Sequence, residues 1–378
     1  MNILLVSCWF PNSENPQQGS FILDHAKSLS FASINCKVLY IHIHKGNRFI
    51  QKQIKNYSID NVEVIEFDIQ SRFWKYLFQF PIFLKKTVLH LAENDAVKKA
   101  DVIHSHAIFP AGIFGWHLSK KYKKPFVITE HWSRAVSFLK KHPLGFLGKR
   151  IYQNADALIF VSESLREKVS KRINSQNVFV IPNPIDGNLF HYEPKPEPVP
   201  VRCTLVATWK KRSPKRGDIV LEALRSLQKK ISVPFQIDFV GEGDALEDYK
   251  KIVDEHNLPV NFCGYETKEV LAKRLQNSHL FLHPTESETF GIVIFEALKT
   301  GTPVLASDLD VFRPYINSQN GKLIKNDVES WQNAILEAFS KQYNYQKIAE
   351  EFKMPFSQSE VAFKTKDVYE KVIDKMKK

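Results

Sequence analysis

The chain has 378 residues, 43% hydrophobic and 25% charged, a globular composition long enough for two domains rather than one. No stretch reaches the roughly 18 apolar residues that cross a bilayer. The first apolar run, Ile3 to Phe10, has no basic residue before it and is too short for a secretory signal, so a cytoplasmic protein is expected. The net charge of +12 is uneven: residues 1–190 hold 25 Lys and Arg against 14 Asp and Glu, and the remainder holds 28 against 27.

In chain order, short β-branched runs alternate with helical stretches, the pattern of parallel βαβ units. In the first half the expected strands are Asn2–Cys8, Lys37–His42, Val62–Phe67, Val102–His104, Phe126–Glu130, Ala157–Val161 and Val178–Ile181, with helices such as Ser20–Ser30 and Ala111–Lys121 between them. His191–Pro200 holds four prolines in ten positions and reads as a linker. A second series follows: strands Arg202–Ala207, Phe235–Val240, Val260–Cys263, Leu280–His283 and Val304–Ala306, with helices at Asp218–Lys230, Ala245–His256, Thr267–Asn277 and Gly291–Lys299. The chain ends in helical sequence from Ser357 to Lys378, expected to pack back on the first domain. This gives an α/β protein with domains at 1–190 and 201–356 joined by 191–200.

Two stretches of the first half stand apart. Phe73–Ala92 is aromatic-rich, broken by Pro81 and accompanied by Arg72, Lys75, Lys85 and Lys86; Phe138–Tyr152 repeats the theme with Lys140, Lys141, Lys149 and Arg150. Basic aromatic segments suit an anionic bilayer surface or an amphiphilic acceptor, and core-facing helices account for them equally well. The excess positive charge favours a membrane, a phosphate-bearing acceptor or nucleic acid, or serves only as a solubilising surface. The four cysteines, Cys8, Cys36, Cys203 and Cys263, are far apart and read as reduced thiols.

The chemistry concentrates between Leu280 and Ala306. A strand ends at Pro284, a polar loop runs from Thr285 to Thr289, and a helix opens at Gly291. Ligands bind at the carboxyl ends of strands in open α/β sheets. Amides at Gly291, Ile292 and Val293 precede and open the helix, where its dipole and free N–H groups suit a diphosphate. Glu296 falls in the second turn, placed for two ribose hydroxyls, and Glu288 in the loop can meet a sugar. A capping acid plus a surface glutamate is the bland reading of the same pair.

Glu288-Thr289-Phe290-Gly291-Ile292-Val293-Ile294-Phe295-Glu296-Ala297, followed by Gly301-Thr302-Pro303-Val304, resembles the signature of the retaining GT-B glycosyltransferases of family 4. The resemblance extends over most of the chain: Trp9-Phe10-Pro11, Gln18-Gly19-Ser20, Asp101 to His106, Thr129-Glu130-His131, Ile181 to Asp186, Gly241-Glu242-Gly243 and Phe262-Cys263-Gly264-Tyr265. It implies two Rossmann-like domains with parallel sheets facing across a cleft, and a nucleotide-sugar as donor substrate, with no further cofactor and no metal. It makes Lys215 the cation that holds the departing diphosphate, with Lys210 or Arg212 as the second; an arginine usually stands at Lys210, and a glycine usually follows the lysine where Arg216 stands here. His131, and with less reason His106, would reach the transferred sugar. Gly19 would pass close to the phosphates, and Gly264, Tyr265 and Phe290 would border the nucleotide. The implied acceptor is a saccharide or lipid-linked saccharide. Asp308-Leu309-Asp310 reads as a loop rather than a metal site. The rivals are a sugar-nucleotide epimerase of the same fold, an inactive sugar-nucleotide binder, and a basic-surface protein; no nucleic-acid motif supports the last.

Overall fold

In the computed structural model, which describes residues 1–91, 95–227, 231, 233–352 and 356–377, the chain divides into two units. The first comprises Met1–Pro184 with Phe356–Lys378, the second Ile185–Pro355. Among the described residues no helix is long and apolar enough to cross a membrane.

The first unit is built on β1 (Asn2–Ser7), β2 (Asn35–Lys45), β3 (Gln51–Ile59), β4 (Val62–Ser71), β5 (Val102–His106), β6 (Phe126–Glu130), β7 (Ala157–Phe160) and β8 (Val178–Val180). They lie in the order β3-β4-β2-β1-β5-β6-β7-β8, every pair parallel except β3 with β4. β5 and β6 are buried along their whole length, as strands covered on both faces must be. β3 is an addition to the expected set. Asp60 and Asn61 both take positive φ, 50° and 66°, and Ile59 pairs with Val62 across them, which makes a two-residue hairpin turn. β3 is polar and mostly exposed because it is the sheet's edge.

The second unit carries β9 (Val201–Val206), β10 (Phe235–Val240), β11 (Val260–Gly264), β12 (Leu280–His283), β13 (Val304–Ser307) and β14 (Gly321–Ile324), ordered β11-β10-β9-β12-β13-β14 and parallel throughout. The helix Gly217–Leu227 buries Ile219, Val220, Ala223, Leu224 and Leu227, one face at three- and four-residue spacing, against a core that includes Trp209, Phe239 and Trp331. Burying each such leucine or isoleucine is worth about 1.5–3 kcal/mol. β14 and the helices Val328–Ser340 and Tyr345–Glu351 are also additions.

The domain division differs from the expected one. It falls between Pro184 and Ile185, and residues 191–200 belong to the second unit. The ammonium of Lys195 donates to the carbonyls of Leu275 and Gln276 and to Thr302 Oγ1 at 3.0, 3.1 and 2.9 Å. Gln276 also donates to the His191 carbonyl. The prolines stop regular structure there without freeing the segment, because Lys195 satisfies carbonyls of the Leu275–Gln276 turn while Gln276 and His279 bond the segment's His191 and Pro196 carbonyls. The final helix, Gln358–Lys377, buries Val361, Ala362, Thr365, Val368, Tyr369 and Val372 in the first unit. The expected helix end at Lys230, and the expected ends at Ala92 and Lys378, lie outside the described residues.

Candidate active site

Parallel strands bring all their carboxyl ends to one edge of a sheet. In the first unit that edge carries the loop after β1, His106 at the end of β5 and His131 just past β6. Gly19 caps the helix Ser20–Ser28 at φ 67°, and a Cβ there would lie 2.3 Å from the Trp9 carbonyl oxygen, so only glycine lets the two backbones meet. The next turn sets Phe21 4.7 Å from the His131 ring, centre to centre. His131 Nε2 is 2.9 Å from His106 Nδ1. Both rings are buried. Burial, with neighbouring His25 acting the same way, draws the pKa of His131 down to about 3; burial draws His25 down to about 4.

Glu130, between Thr129 and His131, is the residue that shapes this loop. It is 1% exposed and accepts from the amides of Ile108 and Trp132 at 2.9 and 2.7 Å and from the Tyr152 hydroxyl. Burial outweighs those donors and raises its pKa above the ordinary carboxyl value. Its position inside the Thr-Glu-His stretch was the signal; its role needed the fold.

In the second unit the loop after β12 and the loop before Gly217 are tied together. Arg216 N–H donates to the Pro284 carbonyl at 3.0 Å, Glu286 N–H to the Pro214 carbonyl at 2.8 Å, and Lys215 bridges to Thr285. This sets the Lys215 ammonium on Glu288 Oε2, with His283 Nε2 3.2 Å away. Burial alone would raise Glu288, but the charge of Lys215 holds its carboxyl far below the ordinary range. Gly291 caps the helix Ile292–Lys299 at φ 77°; a Cβ there would meet Phe312 at 2.7 Å and Glu288 Cγ at 3.2 Å. The amides of Ile292 and Val293 stand in the first turn, which has no intrahelical acceptors for them. One compact group therefore holds a cation, a carboxylate and a helix N-terminus.

The remaining expected residues sort differently. Glu296 is buried, 5% exposed, in the second turn. Phe290 is 2% exposed with its ring 4.7 Å from Phe295, so its side chain anchors the loop. Gly264 has φ 70° with open space where a Cβ would be, and Tyr265 beside it is 39% exposed. Lys210 and Arg212 are exposed and make no side-chain hydrogen bond among the described residues, while Lys211 between them pairs with Asp248 at 2.8 Å. Arg216 is held by Asp218 and Glu286, at 2.7 and 2.6 Å, and acts as a tether between the loops. Asp308 and Asp310 both pair with Arg313.

Among the described residues three side-chain groups have the composition of metal sites: His25 with His104 and His106, Glu14 with His42 and His44, and His42 with Glu66 and Asp68. His25, His104 and His106 cluster in the first unit, but His104 spends one nitrogen on Tyr369 Oη at 2.6 Å and the other on Thr129 Oγ1 at 2.7 Å. Among His42, Glu66 and Asp68 the Lys55 ammonium already sits, 2.5 Å from Asp68 and 4.0 Å from Glu66.

Residues 31–188 match the family described as Glycosyltransferase Family 4, and residues 205–353 match Glycosyl transferases group 1. Together with the two parallel-sheet α/β units, this makes the chain a glycosyltransferase of the GT-B type. It is 24% identical over 345 residues to an uncharacterized glycosyltransferase of Methanocaldococcus jannaschii, covering 89% of this chain and 92% of the relative. A phosphatidyl-myo-inositol mannosyltransferase of Mycobacterium tuberculosis is 28% identical over 216 residues, 56% of each chain. Among solved structures, sucrose-phosphate synthase of Thermosynechococcus elongatus superposes with a TM-score of 0.74 at 18% identity over 99% of both chains. The lipopolysaccharide outer core galactosyltransferase WaaB does so with a TM-score of 0.65 at 19% identity, over 98% of this chain and 99% of its own.

Proposed function

We propose that the chain moves a hexose from a UDP- or GDP-linked donor to an acceptor hydroxyl with retention of anomeric configuration, as a family 4 enzyme. The observation that carries this reading is the Lys215–Glu288 pair at the mouth of the helix Ile292–Lys299. As the bond from the anomeric carbon to the phosphate oxygen breaks, negative charge develops on the diphosphate. Lys215 and the first-turn amides are suited to take it up, with Lys210 or Arg212 as the second cation. One preorganised donor of this kind is worth roughly 2.7–4 kcal/mol. The acceptor oxygen bonds to the same face of the carbon, and its proton passes to the departing phosphate. Glu288 then turns to the sugar, Glu296 to the ribose, and His131 to the transferred hexose. The positive charge comes from side chains, so the reaction proceeds without a metal.

For the acceptor we favour a lipid-linked saccharide reached from an anionic membrane on the inner face of the cell. Phe83, Tyr76 and Phe73 are 61%, 51% and 45% exposed, and Phe146 is 74% exposed. The two segments that carry them meet where Phe80 and His142 lie 5.7 Å apart. Residues 72–91 and 132–153 contain nine Lys and Arg and no acid. Both segments follow strands whose carboxyl ends share the edge with His131. The named mycobacterial relative, which acts on a phosphatidylinositol, supports the same acceptor class.

The test is a thermal-shift screen of the purified chain against UDP-, GDP-, ADP- and CMP-sugars, with and without EDTA. Stabilisation by a nucleotide-sugar that survives EDTA is expected. No shift with any of them, together with a shift on oligonucleotide, would sink the transferase reading in favour of a basic-surface binder.

A further inference from the structure

His283 has no part in the reading above, yet it sits at its centre. It ends β12, 3% exposed, its ring stacked 6.0 Å from Phe281 and edge-on to Phe312 at 5.8 Å. Nε2 lies 3.2 Å from Lys215 Nζ and 3.5 Å from Glu288 Oε2. Burial first, then the charge of Lys215, bring the His283 pKa down to about 4, so the ring is neutral at pH 7. A neutral nitrogen facing an ammonium offers its lone pair; the ring proton is therefore on Nδ1.

An ammonium has three N–H bonds. In this structure one goes to Glu288 and one to His283, which leaves one for a ligand. The two partners differ in how they are held. The Glu288 carboxylate stands on a loop, while the His283 ring is locked between two aromatic rings at the end of a buried strand. Once Glu288 turns to the sugar, only His283 continues to fix where the ammonium points. We infer that His283 is a positioning residue: its Nε2 lone pair holds the Lys215 ammonium at the phosphate site independently of Glu288. This rests on the reading of Lys215 as the diphosphate cation.

A histidine that merely filled the core would be replaced without functional loss by a leucine of similar size. Glutamine, by contrast, can carry an amide oxygen out to the level of Nε2, and asparagine stops short of it. The experiment compares the full chain with His283→Leu, His283→Gln and His283→Asn. Binding of UDP, GDP and ADP is measured by calorimetry beside the matching nucleosides without phosphate, and kcat and KM are measured with the sugar form of the nucleotide that binds. His283→Leu and His283→Asn are expected to weaken nucleoside diphosphate binding about tenfold, the scale of one hydrogen bond to a charged group, with nucleoside binding unchanged. His283→Gln is expected to recover most of that loss, and kcat is expected to fall more than KM rises in the leucine variant, because charge on the leaving group peaks during bond breaking. Should the leucine variant fail to fold, asparagine against glutamine makes the same comparison. Wild-type diphosphate affinity in His283→Leu or His283→Asn, or a glutamine variant no better than either, would overturn the inference and leave the transferase reading intact. If the wild-type chain bound none of the three diphosphates, the transferase reading itself would fall, and the inference with it.

Discussion

His106 Nδ1 and His131 Nε2 are 2.9 Å apart, in rings tilted by only 13°. Both rings are buried and neutral, so a single proton lies between them and each is donor or acceptor only as the other allows. Protonating either ring breaks that arrangement. Together with His25 and His104 these histidines have folded-state pKa values below the unfolded value near 6.5. The unfolded chain therefore binds protons first, and stability is lost as pH falls below about 6.5. At pH 5.5 each such histidine costs about 1.4 kcal/mol, or about 3 kcal/mol for His25 and His131 together. Urea midpoints at pH 7 and 5.5 check this, and His25→Phe should flatten the difference. Equal midpoints at the two pH values would refute it.

Lys215 neutralises Glu288 in a half-buried setting. Lys215→Ala should lower sugar transfer by about 10²–10³-fold, the scale of losing one preorganised charge donor. It also strands the Glu288 carboxylate, so that Lys215→Ala with Glu288→Gln should be more stable than Lys215→Ala alone. Transfer rates and melting temperatures of the three proteins decide it; the prediction fails if the single variant turns over donor as the wild type does.

Gly19 and Gly264 have nearly the same φ, 67° and 70°, in different surroundings. An alanine at either position adopts a left-handed backbone at a cost of about 1–2 kcal/mol. Only Gly19→Ala also drives a methyl into a carbonyl, 2.3 Å from Trp9 O, where no side chain can yield. Gly19→Ala should thus destabilise the chain by several kcal/mol more, on the order of overpacking and strain combined. Chemical denaturation of both variants measures the gap, and equal losses would show that the Trp9 loop moves aside.

Lys85 and Lys86 are exposed beside Phe83. If the aromatic and basic face meets anionic lipid, each lysine contributes about 1 kcal/mol near the surface. Lys85→Gln with Lys86→Gln should then reduce partitioning to vesicles of mixed phosphatidylcholine and phosphatidylglycerol about 30-fold. Phe83→Ser with Phe146→Ser should reduce it too, and salt should weaken binding of the wild type. Co-sedimentation at two salt concentrations tests this, and binding that ignores both the lysines and the salt would count against a membrane.

Strands buried on both faces were legible from their apolar runs: β6 and β12 fall where Phe126–Glu130 and Leu280–His283 were expected, opening on Phe-Val-Ile and Leu-Phe-Leu. The edge strand β3 was not, since Gln51–Ile59 alternates polar residues with little to bury. The helix Val328–Ser340 was missed although Asp327 caps it and Trp331, Ala334, Ile335 and Ala338 repeat at helical spacing. The loop from Thr285 to Gly291 could be read because strand, polar loop and glycine follow one another in sequence. His283 could not, for within the run Leu-Phe-Leu-His it looks like the last residue of a strand, and its partner Lys215 is 68 positions away. Glu130 and Arg216 were hidden for the same reason: their hydrogen-bond partners are supplied by other elements.

The last helix also has a bearing on how the chain comes to be folded. A ribosome delivers residues in order, and domains fold as units as they emerge. The second unit has all its strands once Ile324 is made. The first unit, begun earlier, waits for Tyr369, whose hydroxyl closes on His104 across 265 positions. The unit that is begun first is thus finished after the other, and a nascent chain halted before Gln358 would carry a completed second unit and a first unit still lacking the helix whose Val361, Ala362, Val368 and Tyr369 are buried in it.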